Sequence, residues 1–243
     1  MSSGGRAPWN TGGVTPSHPP VVAAFDLDGT LTNGGSVFAW LRYLCGARAT
    51  YAAALNVSGP LAEGAVRSGA AADEAKQRLF RLLLAGRDLV EVTEASRVFA
   101  RSHLERHGRP RILARLGEHL TLGHDVVIVS ASPELYAQVV ALDLGASRAL
   151  ATRLAVDGRG ALTGDYDGPN CRGEEKLRRL NEWIGGRGFD TAPSVYAYGN
   201  SRGDRRLLAF ANYPYDVGRL GAVGALRHFP RLAQGPLAPT PGG

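Results

Sequence analysis

Two aspartates stand at positions 26 and 28, in the segment DLDGTLT that directly follows the apolar run VVAAF at 21–25. At this i, i+2 spacing just beyond a strand, both carboxylates can face one pocket while Leu27 between them turns into the core. An ionised aspartate is a competent nucleophile towards phosphorus, because an aspartyl-phosphate divides one hard displacement into two easier ones. A second carboxyl beside it can protonate the leaving oxygen and then deprotonate the attacking water. Carboxylate and phosphate oxygens crowded together repel one another, so such a site needs cations. Mg²⁺ suits a few carboxylates together with substrate oxygens, and a lysine adds a compact positive charge. The candidate lysine is Lys176. It and Lys76 are the only lysines in a chain whose Lys+Arg total is 28. Ser130 and the backbone N–H groups after it are placed to donate to phosphate oxygens.

These residues need strands to carry them. VVAAF (21–25), DVVIV (125–129) and SVYAY (194–198) are short apolar runs that read as buried parallel strands. In an open parallel sheet, ligands sit outside the carboxyl ends of the strands. Asp26 and Asp28 follow the first run, Ser130 the second, Asn200 and Asp204 the third, and Lys176 lies near the start of a helix between the last two. Four such positions converging on one rim make a site. Between the first two strands, a helix from Ser36 carries Val37, Phe38, Leu41, Leu44 and Cys45, and residues 47–108 read as wholly helical. There Asp73 is expected to cap a helix with Leu79, Phe80, Leu82 and Leu83. Asp88 starts another with Leu89, Val92, Val98, Phe99 and Leu104 on its apolar side. Further helices follow through Ile112 to Leu120, after Ser132-Pro133, from Glu174 to Trp183, and from Asp204. ALATRLAV and ALTGDY, around Asp157-Gly158-Arg159-Gly160, read as a β-hairpin, and Tyr213 to Val217 as a last strand. The expected fold class is α/β: a doubly wound parallel sheet with an all-helical cap inserted after the first strand.

Composition narrows the function classes. No apolar run reaches the ~20 residues of a membrane span, and the N-terminus lacks the apolar core of a signal peptide. Cys45 and Cys171, far apart, fit a reducing, cytoplasmic setting rather than a disulfide scaffold. A formal charge of +6 invites a nucleic-acid reading. No zinc spacing, basic arm or aromatic–basic interleaving supports one, so no nucleic-acid partner is expected and the charge reads as a solvated surface. The Gly/Pro/Ser-rich ends, 1–20 and 234–243, are expected to be disordered. All six histidines are assigned to cap or surface positions without a role, and Cys171 and Arg172 to loop structure.

The motifs resemble those of the haloacid dehalogenase-like (HAD) hydrolases. DLDGT (26–30) is similar to the family's DxDGT, whose first Asp is the nucleophile. VVIVSAS (126–132) resembles motif II on Ser130, and GPNCRGEEK (168–176) resembles motif III of the phosphoserine-phosphatase-like subfamily IB on Lys176. YGNSRGDRRLL (198–208) resembles motif IV. The likeness runs from residue 21 to about 218 and makes 34–108 the family's type-1 cap, with 21–33 and 109–233 as the core. It implies a Mg²⁺-dependent phosphatase acting on a small phosphorylated substrate. Asp26 is then the nucleophile and Asp28 the acid and base. Ser130, Lys176, Thr30 and Ala131 hold phosphate; Asp26, the Asp28 main-chain oxygen and Asn200, supported by Asp204, hold the metal.

Two departures from the family pattern bear on function. Asn200 replaces the usual first motif-IV Asp, which removes a charge from the metal set and opens a second reading: a catalytically weak, phosphate-ligand-binding or regulatory protein. Asn33-Gly34-Gly35-Ser36 lacks the carboxylate with which phosphoserine phosphatases grip the substrate amine. Phosphoserine is therefore disfavoured, and the apolar, arginine-rich cap points to a larger phospholipid-type monoester.

Overall fold

The computed structural model describes residues 19–61, 69–219 and 224–233. Its centre is a five-stranded, all-parallel sheet in the order β3-β2-β1-β6-β7. β1 (Val21–Phe25) lies in the middle, between β2 (Asp125–Pro133) and β6 (Ser194–Gly199). β3 (Arg148–Thr152) and β7 (Tyr213–Asp216) form the edges. The inner strands are buried on both faces, as their near-continuous Val/Ala/Ile runs require. Alternate side chains divide between two cores: Ala23, Phe25, Val126, Ile128 and Tyr198 on one face, Val22, Ala24, Val127, Val129 and Ala197 on the other.

Among the described residues, four helices separate β1 from the rest of the core: α1 (Val37–Cys45), α2 (Ala47–Leu61), α3 (Gly69–Leu84) and α4 (Leu89–His107). This is the helical cap. Asp88 caps α4 as expected, its carboxylate accepting from Glu91 N at 3.0 Å. α5 (Pro110–Thr121), with Pro110 at its first turn, and α6 (Glu134–Asp143) flank β2. α7 (Glu174–Gly185) leads to β6, and a 3-10 turn at Arg202–Asp204 passes into α8 (Arg205–Phe210).

Four local expectations are corrected. Asp73 is inside α3 rather than at its start, because the alanine-rich segment before it continues the helix; Leu82 on that helix is 54% exposed. Val98 is 60% exposed, since the face of α4 that packs inward carries Val92, Ser96, Phe99, Ala100 and His103 instead. Ser96 earns burial by accepting from Trp40 Nε1 at 2.8 Å while donating to Val92 O at 2.6 Å. The segment read as one hairpin splits: residues 148–152 join the main sheet as β3, and only β4 (Leu154–Val156) and β5 (Leu162–Tyr166) pair antiparallel. His119, finally, is not a surface residue. It is fully buried between Phe25, Tyr196 and Tyr198, with Nε2 2.8 Å from Tyr198 Oη.

The small hairpin ties the cap to the core. Leu162 exchanges backbone hydrogen bonds with Gly86 and Arg87, and Leu89 N donates to Gly160 O. Gly164, at φ +83°, lets the hairpin touch α3: a Cβ there would stand 2.4 Å from Arg81 Cα. Arg81 and Gln77 of α3 both donate to Asp165 Oδ1, at 2.5 and 3.0 Å. The expected disordered ends fall outside the described residues except for Pro19 and Pro20.

Candidate functional site

Asp26 continues β1, its N–H donating to Tyr198 O at 2.9 Å, so its side chain leaves the sheet at the carboxyl rim. Across the rim, Lys176 Nζ donates to Asp26 Oδ1 and to Asp204 Oδ1, each at 2.6 Å. All three side chains are almost fully buried. Lys176 sits in the first turn of α7, where the helix dipole disfavours a cation; the two carboxylates compensate.

The two carboxylates differ. Asp204 Oδ2 accepts from Asn200 N, Ser201 N and Ser201 Oγ at 3.1, 3.0 and 2.8 Å, in addition to the Lys176 bond on Oδ1. Burial pushes Asp204 up, but Lys176 and these donors outweigh it and hold the carboxyl below its ordinary value. Asp26 receives Lys176 on Oδ1. Burial, with repulsion from Asp204, raises it to about 7 despite Lys176. Burial likewise pulls Lys176 down, and Asp204 and Asp26 more than reverse that. Asp204 therefore commits both oxygens to Lys176 and the 200–201 loop, whereas Asp26 turns Oδ2 to the Asn200 amide.

Asp28 faces the same hollow and is steered from both sides. Ser132 Oγ donates to its Oδ2 at 2.7 Å and Ser36 N to its Oδ1 at 3.0 Å. Behind them Ser36 Oγ lies 2.6 Å from the buried Tyr136 hydroxyl. Ser130, buried where the register of β2 against β3 shifts, three residues before the end of β2, accepts from Ser132 N at 3.1 Å. Thr30, also buried, reaches Asn200 at 3.3 Å.

Asn200 closes one corner of the site. The amide atom facing inward lies 3.1 Å from Asp26 Oδ2 and 3.1 Å from the Asp28 main-chain oxygen. Gly29 makes this approach feasible, because a Cβ at its φ of +81° would fall 2.0 Å from the Asn200 amide nitrogen. If the amide presents oxygen, three oxygens crowd together with no donor among them. That spacing is close to the ~3.0 Å edge of an octahedron with ~2.1 Å metal–oxygen bonds, so the donor set fits Mg²⁺. If it presents nitrogen, the amide donates to both oxygens. Among the described residues no cluster of three His, Cys, Asp or Glu side chains could hold a metal; the fit depends on one carboxylate, one carbonyl and one amide.

Asp26, Asp28, Ser130, Lys176 and Asp204 thus line one hollow of about 250 Å³. A larger one, about 460 Å³, opens on the other side of Gly29 and Asn200 and contains neither Asp26 nor Lys176. Residues 23–209 match the family described as haloacid dehalogenase-like hydrolase. The chain belongs to that family. It is 34% identical over 195 residues to protein CicA of Caulobacter vibrioides, covering 80% of this chain and 85% of that one. A histidinol-phosphatase of Neisseria meningitidis is 27% identical over 198 residues, 81% and 89% of the two chains. In fold, a phosphoserine phosphatase solved as a phospho-aspartyl intermediate analogue superposes with a TM-score of 0.58 at 18% identity, over 82% of this chain and 87% of that one.

The HAD hydrolase completes its hollow with residues that the sequence reading did not assign to the site. Val37, Ala72, Asp73 and Lys76 enter from the cap, and Arg172 from the loop before α7. Arg172 NH1 lies 3.3 Å from Asp73 Oδ1. Lys76 Nζ donates to Ala131 O at 2.8 Å and to Asn170 Oδ1 at 2.6 Å, and Thr152 Oγ1 bonds the same two oxygens. Arg172 is therefore more than loop structure. Cys171 is not: it is buried, and its thiol donates to Leu150 O at 3.2 Å. The rarity of lysine was the one signal in the sequence for Lys76. No helix among the described residues is long and apolar enough to cross a membrane.

Proposed function

We propose that this hydrolase is a Mg²⁺-dependent phosphatase that cleaves a small phosphomonoester through a phosphorylated Asp26. The observation that carries the reading is the convergence of Asp26, Asp28, Ser130 and Lys176 on one phosphate-sized hollow. Asp26, the Asp28 main-chain oxygen and the Asn200 amide oxygen would hold the metal, which supplies positive charge against the phosphoryl oxygens. Lys176 and Ser130 bind those oxygens with the Ala131 backbone beside them, while Thr30, fully buried outside the lining of the hollow, supports Asn200 instead. An Asp26 oxygen forms a bond to phosphorus as the bond to the leaving oxygen breaks, and Asp28 gives that oxygen its proton. A water then passes a proton to Asp28 and attacks phosphorus, breaking the Asp26–phosphorus bond and freeing phosphate. Asp204 acts through Lys176, keeping it charged and in place.

The walls favour a small polar leaving group over a phospholipid. A volume of about 250 Å³ falls below the ~300–1,000 Å³ of sites for drug-sized ligands, and Asp73, Lys76 and Arg172 place charge on its wall beside Val37 and Ala72. The 27% identical histidinol-phosphatase and the phosphoserine phosphatase fold both accord with small phosphorylated substrates. The test is phosphate release from 4-nitrophenyl phosphate with added Mg²⁺, for the native chain and Asp26→Asn. Turnover that disappears in the variant is the expected result; turnover that survives rules out Asp26 as nucleophile. A second reading, ligand binding without turnover, is favoured by the Asn200 orientation that donates to Asp26 Oδ2 and Asp28 O. Activity saturating at modest Mg²⁺ eliminates it.

A further inference from the structure

Among the described residues, Lys76 forms no ion pair. Its Nζ lies over the Tyr166 ring, 5.3 Å from the centroid, and bonds the neutral oxygens of Ala131 and Asn170. Among the described residues it pairs with no carboxylate: Asp73, one turn earlier on α3, is turned to Arg172, and Asp165 is held by Gln77 and Arg81. Neutral oxygens orient an ammonium but do not cancel its charge, and one of its three N–H groups remains to be used. The side chain is also held in place. The contact of α3 with Gly164 and the Asp165 bonds fix the helix that carries it over the hollow where Asp26 and Lys176 meet.

We propose that Lys76 selects phosphomonoesters whose leaving group is a short alcohol bearing its own carboxylate. This rests on the phosphatase reading of the hollow. The transferred phosphoryl group already has Lys176 and Ser130, and Asp73 is paired with Arg172, so among the described cap residues that line the hollow Lys76 is the cation left to meet the leaving group. Size agrees: a hollow of about 250 Å³, below the range of sites for drug-sized ligands, suits a phosphate on a short alcohol. Burial pulls Lys76 down to about 8, assisted by Arg172 and opposed by Asp73, Asp28 and Cys171. A docked carboxylate would favour the charged form again.

Three esters of matched length test this: phosphoglycolate, 2-hydroxyethyl phosphate and phosphoethanolamine, whose leaving groups end in carboxylate, hydroxyl and ammonium. kcat/KM is expected to fall in that order, by about tenfold per step, the worth of one charge-assisted hydrogen bond. Lys76→Gln is expected to collapse the order and Lys76→Arg to retain it, with thermal melts confirming that both fold. No charge order in the native protein overturns the proposal. So does an equal loss on all three esters in Lys76→Gln, which would assign Lys76 to the phosphoryl group. Calorimetric binding of the same esters to Asp26→Asn reads the order without turnover. If no ester and no 4-nitrophenyl phosphate is hydrolysed, the phosphatase reading falls, while the binding order still decides the role of Lys76.

Discussion

The two lysines of this chain occupy opposite electrostatic settings some way apart in the same hollow. Lys176 belongs to the sheet rim and stands between two buried carboxylates, so its charge is cancelled before any ligand arrives. Lys76 belongs to the cap and is held by a carbonyl and an amide oxygen, so its charge is not spent. The rim therefore stores charge in a rigid, mutually satisfied cluster, which suits a reaction centre that must not rearrange. The cap presents charge outward to whatever enters, which suits selection.

Removing the rim lysine is the most drastic way to break this contrast. Lys176→Met leaves Asp26 and Asp204 buried together without their shared cation. Loss of one member of a buried ion cluster costs about 3–5 kcal/mol, against little for an exposed pair. Urea unfolding is expected to show a loss of that order, and phosphatase turnover is expected to vanish. A variant as stable as the native chain would mean that Lys176 does not hold the rim together.

The same contrast operates within the rim, between the two aspartates that share Lys176, and pH separates them. Asp26 is raised to about 7. Its contribution to stability is complete below the ordinary carboxylate value and is lost as pH rises through 7, because the folded state then holds a proton the unfolded chain has released. Asp204 is lowered, so its contribution is present above the ordinary value and is lost only as pH falls through the lowered one. In chelator, the stability difference between native protein and Asp26→Asn should decline from about pH 4.5 to 8, while that for Asp204→Asn should stay flat over the same range. Parallel curves for the two variants would refute the assigned asymmetry.

The rim was largely readable from sequence and the cap wall was not, for a physical reason. Strand-end residues such as Asp26, Ser130 and Asn200 are placed by one fact, that a buried parallel sheet collects polar groups at its carboxyl edge. Lys76, Asp73 and Arg172 are placed by the docking of α3 on a hairpin whose own arms were misassigned. RALAT alternates like a hairpin arm, and only pairing with β2 distinguishes an edge strand from one. His119 shows the same blindness: a histidine on α5 looks solvated until the tyrosines of β6 close over it. Asp28 and Asp204 were legible as residues of the rim, but their partners, Ser132 for one and Lys176 with Ser201 for the other, were not.

Asn200 lets the metal corner be sharpened rather than broken. Asn200→Asp adds a carboxylate beside Asp26 Oδ2 and the Asp28 oxygen, where the amide now sits 3.1 Å from each. Without metal the change removes a possible donor and adds repulsion, so the variant should melt earlier in chelator. With metal the added charge should tighten binding by about tenfold, the lower end of what alterations around a metal site produce. Calorimetric Mg²⁺ titration of both proteins reads this directly. Unchanged affinity would place the metal away from Asn200.

The smallest expected effect lies behind Asp28, where cap and rim meet. Ser132 Oγ donates to Asp28 Oδ2 at 2.7 Å from the end of β2, while the opposite oxygen is held by Ser36 N at the start of the cap. Ser132→Ala removes one charge-assisted hydrogen bond and leaves the other. A bond of that kind contributes about 1.5 kcal/mol, which is close to tenfold in rate. Ser132→Thr keeps a hydroxyl there and should restore the rate. An unchanged kcat in Ser132→Ala would instead make Ser132 a packing residue, and would leave Ser36 and the cap as the sole support for the acid.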